Sequence, residues 1–453
     1  MTTTTAAAYD AALQIPARHA PPSKRKVVVA TTIGNALEFF DFTVYSFFAI
    51  LIGKLFFPVA TAQGQLLLSV ATFGVGFVTR PLGGIVIGQY ADRRGRRAAM
   101  VMTIMLMALG CAMIALAPTY AQIGLAAPLI IVVARLVQGF SAGGEVGVSV
   151  TMLVENGTVR NRGYFASWQF ASQGLGIMVG AVIAALLSHY LSPAALESWG
   201  WRVPFALGVL IAPVGMYIRR QLHETLLVQE APAAAAGADA RNAAVRADLP
   251  NPLLVLLREY KFKTMLGVLL IMGGTVSSYI ILLYMPTYAI RELKLPPDTA
   301  LLAGVLSAGV TFVFAPFVGW MADAWGRKPL VMAGRIASLV AIYPCFLWLN
   351  AAPSAANLLL IVGGLSVLLT LHAVPTITMI PEMIPNAVRA TSMSVTYSLG
   401  VSLFGGFAQL IAVWLIAATG SKLAPAWYVI ASLVLSTWPL LYMPDRAGHA
   451  IED

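Results

Sequence analysis

The feature that most constrains this chain is a series of long stretches without Asp, Glu, Lys or Arg. Residues 98–134, 163–196 and 336–381 contain none of these four residue types. A bilayer core of about 30 Å is crossed by about 20 apolar residues in a helix, so each stretch is long enough for one or two crossings. Only 11% of the residues are charged and the mean hydropathy is +0.80, whereas soluble domains carry about 25% charged residues. This composition excludes an ordinary soluble fold and a disordered or nucleic-acid-binding chain.

The uncharged stretches divide at turn residues such as Pro118 and Pro353, and the sequence then predicts twelve membrane-spanning helices. Their apolar runs are continuous, whereas the strands of a membrane barrel alternate between apolar and polar residues. The predicted fold class is an all-α membrane protein with twelve transmembrane helices in two six-helix bundles. The predicted spans are 27–53, 66–91, 98–117, 124–153, 164–188, 202–220, 264–290, 299–322, 330–350, 356–383, 390–416 and 424–443.

The positions of the cations predict the orientation. With the N-terminus in the cytoplasm, only five of the 29 Lys and Arg residues fall in external segments, and Arg80 and Arg135 fall inside spans. Cytoplasmic loops of membrane proteins carry such an excess of cations. Two cysteines, Cys111 and Cys345, lie in apolar runs, so neither a disulfide framework nor a metal cluster is expected. The predicted domains are an N-terminal tail at 1–26, a bundle at 27–222, a flexible cytoplasmic linker at 223–262, a second bundle at 263–443 and a C-terminal tail at 444–453.

Two decapeptides at the predicted cytoplasmic ends of the second and eighth spans match as G-x-x-x-D-x-x-G-R-[RK]. They occupy residues 88–97 and 319–328. A second pair of sites matches as well, because Glu155 precedes Arg162 by the same spacing that separates Glu382 from Arg389. Matching loops at equivalent positions are typical of a parallel internal repeat. The sequence therefore predicts two similar halves that share one orientation.

The acids and cations of these loops are predicted to form a cytoplasmic gate. Cations that bridge to carboxylates on neighbouring helices can close one side in one conformer and release it in the other. The alternative is ordinary loop charge that follows the positive-inside rule. The candidate gate residues are Asp92, Arg96, Arg97, Glu155, Arg162, Asp323, Arg327, Lys328, Glu382 and Arg389.

Five further segments carry a family resemblance together with the loop motifs. They are 34–42 (GNALEFFDF), 80–84 (RPLGG), 135–145 (RLVQGFSAGGE), 199–205 (WGWRVPF) and 219–225 (RRQLHET). In these segments the chain resembles the major facilitator superfamily, and within it the metabolite:proton symporter family of citrate, α-ketoglutarate, shikimate and proline/betaine carriers. Residues 167–173 and 404–407 look closest to the citrate branch. The resemblance implies a substrate site between two bundles and proton-coupled transport.

Ionisable side chains at membrane depth are the candidates for the chemistry, because each costs at least about 2.5–3.5 kcal/mol to insert. Glu38 and Asp41 lie near the middle of the first span and form one polar stripe with Asn35 and Tyr45, which we expect to face the central cavity. Two desolvated carboxylates so close together are expected to take up a proton near neutral pH. The alternative is a structural pair with an arginine.

Arg80 and Arg135 are also placed near mid-depth. Arg80 is the predicted ligand of a substrate carboxylate, because a planar guanidinium suits that group, and a permanent ion pair with Asp41 is the alternative. The segment around Arg135 resembles the superfamily motif associated with proton coupling. Arg135 and Glu145 therefore join Glu38 and Asp41 as predicted proton-coupling residues, and helix packing is the alternative for Glu145.

Polar residues of other spans complete the predicted binding site. Trp168, Gln169 and Gln173 share one face of the fifth span, and interhelical packing is the alternative for them. His372 lies well inside a span, where it can contact an anion, carry a proton or make a structural hydrogen bond. The predicted substrate-binding residues are Arg80, Asn35, Tyr45, Trp168, Gln169, Gln173, Tyr284 and His372.

The sequence predicts a secondary transporter and not an enzyme. It contains no G-x-x-x-x-G-K-[ST] loop, so ATP is not expected to drive it. The expected activity is proton-coupled import of a small carboxylate, citrate or another di- or tricarboxylate, without a cofactor, a metal or a nucleic-acid partner. We expect a monomer in the inner membrane with both termini in the cytoplasm. The alternatives are a proline/betaine-type zwitterion symporter, a proton-coupled exporter and a sensor that binds without translocating.

Overall fold

A computed structural model describes residues 24–449 except 95, 144, 211–212, 214–255, 257 and 385. Helices connected by short turns make up the described chain, and no strand occurs within it. Eight of its helices are long and apolar enough to cross a membrane, and a ninth results if a bent pair near the start counts as one span. Most of the predicted linker at 223–262 lies outside the described residues, and the domain boundaries remain predictions.

The first half of the chain contributes six helices, several of them broken into two segments. We number them in chain order as α1 (Lys24–Phe47 and Ala49–Phe56), α2 (Ala62–Val78 and Arg80–Arg94), α3 (Arg96–Leu116), α4 (Ala126–Ala142 and Glu145–Asn156), α5 (Arg162–Tyr190) and α6, which is described over 203–210. Short helices at Tyr120–Ile123, Pro193–Ser198 and Gly200–Arg202 connect some of them.

The second half also contributes six helices, two of which contain a wider π-helical turn. They are α7 (Lys261–Ser278, a π-helical turn at Tyr279–Tyr284, and Met285–Arg291), α8 (Pro297–Trp325), α9 (Arg327–Ala351), α10 (Ala355–Glu382), α11 (Asn386–Gly400, a π-helical turn at Val401–Gly405, and Ala408–Thr419) and α12 (Ala424–Thr437, followed by a tighter turn at Trp438–Leu441).

Helices α1 and α2 are interrupted where the sequence predicted continuous spans. The segments of α1 meet at Phe48 with a bend of 61°. Helix α2 breaks at Thr79, and its second segment begins with Arg80 and Pro81. Since proline lacks an N–H and clashes with the preceding turn, the break lies where its ring would disturb a continuous helix. The break places Arg80 at the start of a new helical segment.

Glycines allow α2 and α4 to approach until their backbones touch. A Cβ atom added to Gly139 would lie 1.5 Å from the carbonyl oxygen of Gly76, and one added to Gly83 would lie 1.9 Å from that of Phe140. Small residues permit such close approach in membranes, where van der Waals packing drives helix association. This contact fixes the depth of Arg80, which follows α2 residue Gly76 by one turn, relative to Arg135 on α4.

The two halves meet most extensively through α5 and α8. Glycines again lie in this contact, since a Cβ atom on Gly163 would be 2.7 Å from the carbonyl oxygen of Gly319, and one on Gly174 would be 2.8 Å from that of Ala308. The close approach extends over several turns of both helices. A rigid seam between the halves therefore borders the central cavity.

We expect Gly139→Ala to lower the stability of the protein by about 1–3 kcal/mol, because the added methyl group forces α2 and α4 apart. The matched control is Gly364→Ala, since Gly364 is exposed and no atom lies within 4 Å of its added Cβ. Alanine in that helix should be neutral or stabilising by up to about 1 kcal/mol. The thermal unfolding temperature of the purified protein in detergent measures both effects. Equal unfolding temperatures for the two variants would contradict the close α2–α4 contact.

Candidate functional site

A buried ion pair joins α1 and α2 near the middle of the predicted membrane span. Arg80 Nη2 lies 3.0 Å from Glu38 Oε1, and the two side chains are 2% and 3% exposed. The guanidinium carbon of Arg80 also lies 4.7 Å from the ring centre of Phe42 and 4.3 Å from that of Phe77. Aromatic faces attract a cation most strongly when it is desolvated. A carboxylate and two rings therefore hold Arg80.

Arg135 is held mainly by aromatic rings. Its guanidinium carbon lies 4.9 Å from the ring of Phe42, 4.8 Å from that of Tyr45 and 5.0 Å from that of Phe73. Its Nη1 donates a hydrogen bond to Gln138 at 2.8 Å, whereas Nε and Nη2 have no hydrogen-bond partner within the described part of the chain. Phe42 thus contacts both Arg80 and Arg135.

Asp41 faces a different set of neighbours from Glu38. Its carboxylate is within hydrogen-bonding reach of the Cys111 thiol, and a Cβ atom added to Gly208 would lie 2.7 Å from its Oδ1. Gln138 Nε2 donates to the sulfur of Cys111 at 3.2 Å. Since Gln138 also accepts from Arg135, a chain of polar contacts connects Asp41 on α1 with Arg135 on α4.

The polar stripe of α1 is therefore divided among several helices, and the expectation that it faces one cavity is wrong in this conformation. Asn35 donates to Ser172 at 2.7 Å and accepts from Gln169 at 2.7 Å, which ties α1 to α5. Tyr45 donates to the carbonyl oxygen of Ser69 at 3.2 Å. The sequence shows which residues share a helical face, but neighbouring helices surround α1 on nearly all sides.

A small cavity lies between the halves, within electrostatic reach of the Arg80–Glu38 pair. Its volume is about 50 Å³, whereas ligand pockets usually measure about 300–1,000 Å³. Gln173, a predicted substrate-binding residue, lines it and donates to the hydroxyl of Tyr397 at 3.3 Å. The other lining residues are Phe39, Phe170, Ile177, Ile271, Gly274, Thr275, Ser278, Tyr279, Leu282, Leu283, Ala373, Thr376, Ile377 and Val401.

Several predicted substrate-binding residues lie away from this cavity. Gln169 is occupied by Asn35, and Trp168 packs beside Tyr164 at 6.3 Å between ring centres. Tyr284 lies near Tyr288, with 6.3 Å between their rings. His372 is fully buried against α9, and neither ring nitrogen has a hydrogen-bond partner within the described residues. A role for these residues in binding remains a prediction, because the binding-competent open conformation can expose different faces.

Sequence reasoning missed two features of the site and one buried cation. Tyr279 and Tyr397 line the cavity and pack near Arg80, but their spans contain other tyrosines and serines that look equivalent. Arg335 is fully buried in α9 and donates to the carbonyl oxygens of Ser436 and Leu270. An arginine at the sixth position of a predicted span was a signal that could have identified it.

At the predicted cytoplasmic end, Asp323 connects the two halves. It lies near the end of α8 and accepts hydrogen bonds from the backbone N–H groups of Gly163 and Tyr164, both at 2.8 Å. These groups belong to the first turn of α5, where N–H groups have no partner within the helix and the dipole favours a negative charge. Arg327 lies 2.9 Å from Asp323 and 3.1 Å from Glu382. The predicted gate residues Asp323, Arg327 and Glu382 are thus brought together.

A second contact crosses between the halves at the same end. Arg389 at the start of α11 lies 3.3 Å from Glu155 at the end of α4. Arg162 Nη1 donates to the carbonyl oxygen of His449 at 3.0 Å, and Lys328 Nζ donates to that of Met443 at 3.1 Å. The side chains of Asp92, Arg96, Arg97 and Glu145 lie outside the described residues, so their predicted roles stay predictions.

Asp445 is a further acid of this end, in the segment predicted to be a tail. Its carboxylate accepts from the backbone N–H groups of Arg327 at 3.3 Å and Lys328 at 3.0 Å. It therefore caps the N-terminus of α9, whose first N–H groups need an acceptor. The segment after α12 is part of the gate region.

The opposite, predicted external end is also closed. Gln409 Nε2 donates to Ser46 Oγ at 2.7 Å, and Ser46 Oγ lies 3.3 Å from the carbonyl oxygen of Leu283. Arg291 Nη2 donates to Gln63 Oε1 at 3.1 Å. The halves therefore touch at both ends in this conformation.

Comparison with known proteins identifies the family. The model of the sugar (and other) transporter family matches residues 26–452. The chain belongs to this family of the major facilitator superfamily. It is 35% identical to the citrate-proton symporter of Klebsiella pneumoniae, over 94% of this chain and 93% of that protein, and 31% identical to the proline/betaine transporter of Escherichia coli K12, over 94% and 85%. The twelve-helix fold matches a D-xylose-proton symporter crystal structure with a TM-score of 0.72 at 17% identity, over 94% and 99%.

We expect Asp323→Asn to open the predicted cytoplasmic end of this transporter. Asparagine loses the charge that holds two N–H groups and Arg327, and hydrogen bonds to charged groups contribute about 1.5–3 kcal/mol each. The closed state should lose at least a factor of about ten in population. The rate at which a thiol reagent labels Ser167→Cys, a buried position that faces Gly319, measures this shift in a Cys345→Ser background.

The matched control is Asp298→Asn, because Asp298 is half-exposed at the opposite end, where its oxygen lies 3.7 Å from His189. Labelling of Ser167→Cys should keep its original rate in that variant. The assignment of Asp323 to the gate is wrong if both asparagine variants label at the same rate.

Proposed function

We propose that this transporter imports a small organic acid together with protons by alternating access. The Arg80–Glu38 ion pair carries the proposal, because it places a cation suited to a carboxylate near the cavity between the halves. The citrate-proton symporters and proline/betaine transporters that resemble the chain support it, since their solutes carry a carboxylate. The proposed setting is the inner membrane, with both termini in the cytoplasm and a monomer as the functional unit.

Coupling follows from competition for Arg80. A solute carboxylate that binds the guanidinium displaces Glu38 and so removes the cation that balances this buried carboxylate. Such a buried charge is costly, and a proton removes the cost. Solute and proton therefore bind together, and each increases the affinity for the other.

Asp41 is proposed as a second proton site with a different environment. The Cys111 thiol and the backbone at Gly208 surround its carboxylate, and Gln138 connects this group to Arg135. Protonation of Asp41 changes the charge that faces Arg135. This arrangement lets the protonation of Asp41 on α1 influence Arg135 on α4, without direct contact between Asp41 and the solute.

The end contacts provide the two gates that alternating access needs. At one end Asp323 and Arg389 connect the halves, and at the other end Gln409 and Arg291 do so. Opening one set while the other stays closed exposes the cavity to one side at a time. The conformation in which the halves touch at both ends is the intermediate between these two states.

We expect external acid to stimulate uptake into proteoliposomes and a protonophore to abolish accumulation. The solutes are radiolabelled 3-hydroxybutanoate, malate, citrate and glycine betaine. Glu38→Gln should remove gradient-driven accumulation, because glutamine cannot bind and release the proton. Exchange of internal for external solute should persist at a measurable rate.

The control is Glu197→Gln, since Glu197 is an exposed acid that pairs with Lys54 at the surface, and its uptake should match wild type. Accumulation that needs sodium and resists the protonophore would disprove proton coupling. Binding without exchange in the wild-type protein would favour a sensor.

We expect Arg80→Lys to lower carboxylate affinity by roughly 1.5–3 kcal/mol, which is about 10–100-fold, although the net charge is unchanged. The reason is the loss of the planar fork that binds two carboxylate oxygens. Equilibrium binding of the same solutes in detergent gives the affinities. Arg160→Lys, at an exposed loop position, should bind like wild type. Unchanged affinity in a folded Arg80→Lys protein would make Arg80 structural.

A further inference from the structure

The described wall of the central cavity contains no charged side chain. Four of its members are aromatic, namely Phe39, Phe170, Tyr279 and Tyr397. Its polar members are neutral hydroxyl or amide groups, and two of these hydroxyls already donate within their own helices, Ser278 to Gly274 and Thr376 to His372. An additional anionic group of a solute would find no cation on this wall.

Four of the five buried arginines in the described chain are engaged away from the cavity. Arg327 and Arg389 form ion pairs at the predicted cytoplasmic end. Arg335 donates to two backbone carbonyl groups between α9, α12 and α7. Arg135 lies behind Phe73, which contacts it on one side and packs 6.3 Å from the Tyr279 ring on the other.

Arg80 is the remaining buried arginine. The ring of Phe77 packs 4.3 Å from its guanidinium and 5.7 Å from the Tyr279 ring. Arg80 and Glu38 lie close enough to act electrostatically on both Tyr279 and Tyr397, which line the cavity, whereas Arg135 acts on Tyr279. Arg80, now bound to Glu38, is therefore the candidate cation for a solute in the cavity.

We infer that the solute of the proposed transporter carries one carboxylate, which replaces Glu38 at Arg80, and a compact body without a second anionic group. This inference rests on the proposed function and narrows its substrate class. A second or third carboxylate would lie against neutral hydroxyls and aromatic faces, and an ionised carboxylate buried without a cation is strongly unfavourable. Aromatic faces are electrically negative, so they disfavour an anion and accept an apolar or cationic body.

The inference separates this chain from the citrate-proton symporters that it resembles at 35% identity. A zwitterion with one carboxylate and an ammonium group satisfies the cavity, and so does a hydroxylated monocarboxylate. Their common chemistry is the single carboxylate. The tricarboxylate expected from the sequence does not match the neutral wall.

The test is equilibrium binding of four solutes to the purified full-length protein in detergent at acidic pH. Three hydroxy acids differ in carboxylate number, namely 3-hydroxybutanoate with one, malate with two and citrate with three, and glycine betaine has one carboxylate and a quaternary ammonium group. We expect 3-hydroxybutanoate, glycine betaine or both to bind at least tenfold more tightly than malate and citrate. Tighter binding of the betaine identifies a cationic body, and tighter binding of the hydroxy acid identifies a neutral one.

Gln173 offers a second test that adds a cation to the wall. Gln173→Lys should raise the affinity for malate at least tenfold relative to wild type, whereas the neutral control Gln173→Met should not. If the affinity for malate rises by the same factor in both variants, the missing cation is not what excludes dicarboxylates, and the inference fails.

The wild-type result decides the inference even if the lysine variant does not fold. Citrate or malate binding as tightly as the monocarboxylates overturns the inference and leaves the proposed function in place. If none of the four solutes binds or is transported, the proposed organic-acid transport fails as well.

Discussion

The burial of Arg80 and Arg135 around the ring of Phe42 is the constraint on which the first half of this protein depends. A guanidinium cannot lose its charge, so each one needs partners within the membrane. Glu38 and Phe77 supply them for Arg80, and Tyr45, Phe73 and Gln138 supply them for Arg135. The helices α1, α2 and α4 must keep their relative depth for these contacts to exist. The glycine contacts between α2 and α4 maintain that depth.

The charged residues of the gate also need partners, but their partners and their access to water differ from those of Arg80 and Arg135. There the charges lie near helix ends, where α5 and α9 offer N–H groups that have no partner within the helix. Asp323 and Asp445 accept from those groups, and each binds across a boundary between elements distant in sequence. Contacts of this kind can break and re-form, because water reaches the helix ends once they separate. Buried ion pairs near the middle of the membrane have no water that could replace a lost partner.

The sequence predicted the twelve helices, because long uncharged runs are a one-dimensional signal. The repeated loops pointed to Asp323, Arg327 and Glu382, which lie together in the structure, although their role as a gate stays a prediction. Arg80 and Glu38 were also predicted as mid-membrane charges. Their pairing was not predicted, because Asp41 and Arg135 were equally possible partners. The partners of Arg335 could not be predicted either, because they are backbone carbonyl groups, which every residue type carries. The neutral wall of the cavity depends on which faces of α7, α10 and α11 turn inward. Hydrophobic periodicity does not identify the inward face of a helix that is apolar on all sides.

The π-helical turns of α7 and α11 lie side by side, since a Cβ atom on Gly405 would be 2.8 Å from the Tyr279 ring. Such a turn contains one more residue than an α-helical turn and is often found at functional sites. If one of them relaxed to ordinary α-helix, every residue beyond it would rotate by about 100° around the helix axis. Relaxation of the turn in α7 would then move Leu282 and Leu283, which lie late in that turn, off the cavity wall while the helix stayed in place. The second half can thus exchange the side chains that surround a solute by a local register change, independently of any tilt of the bundles.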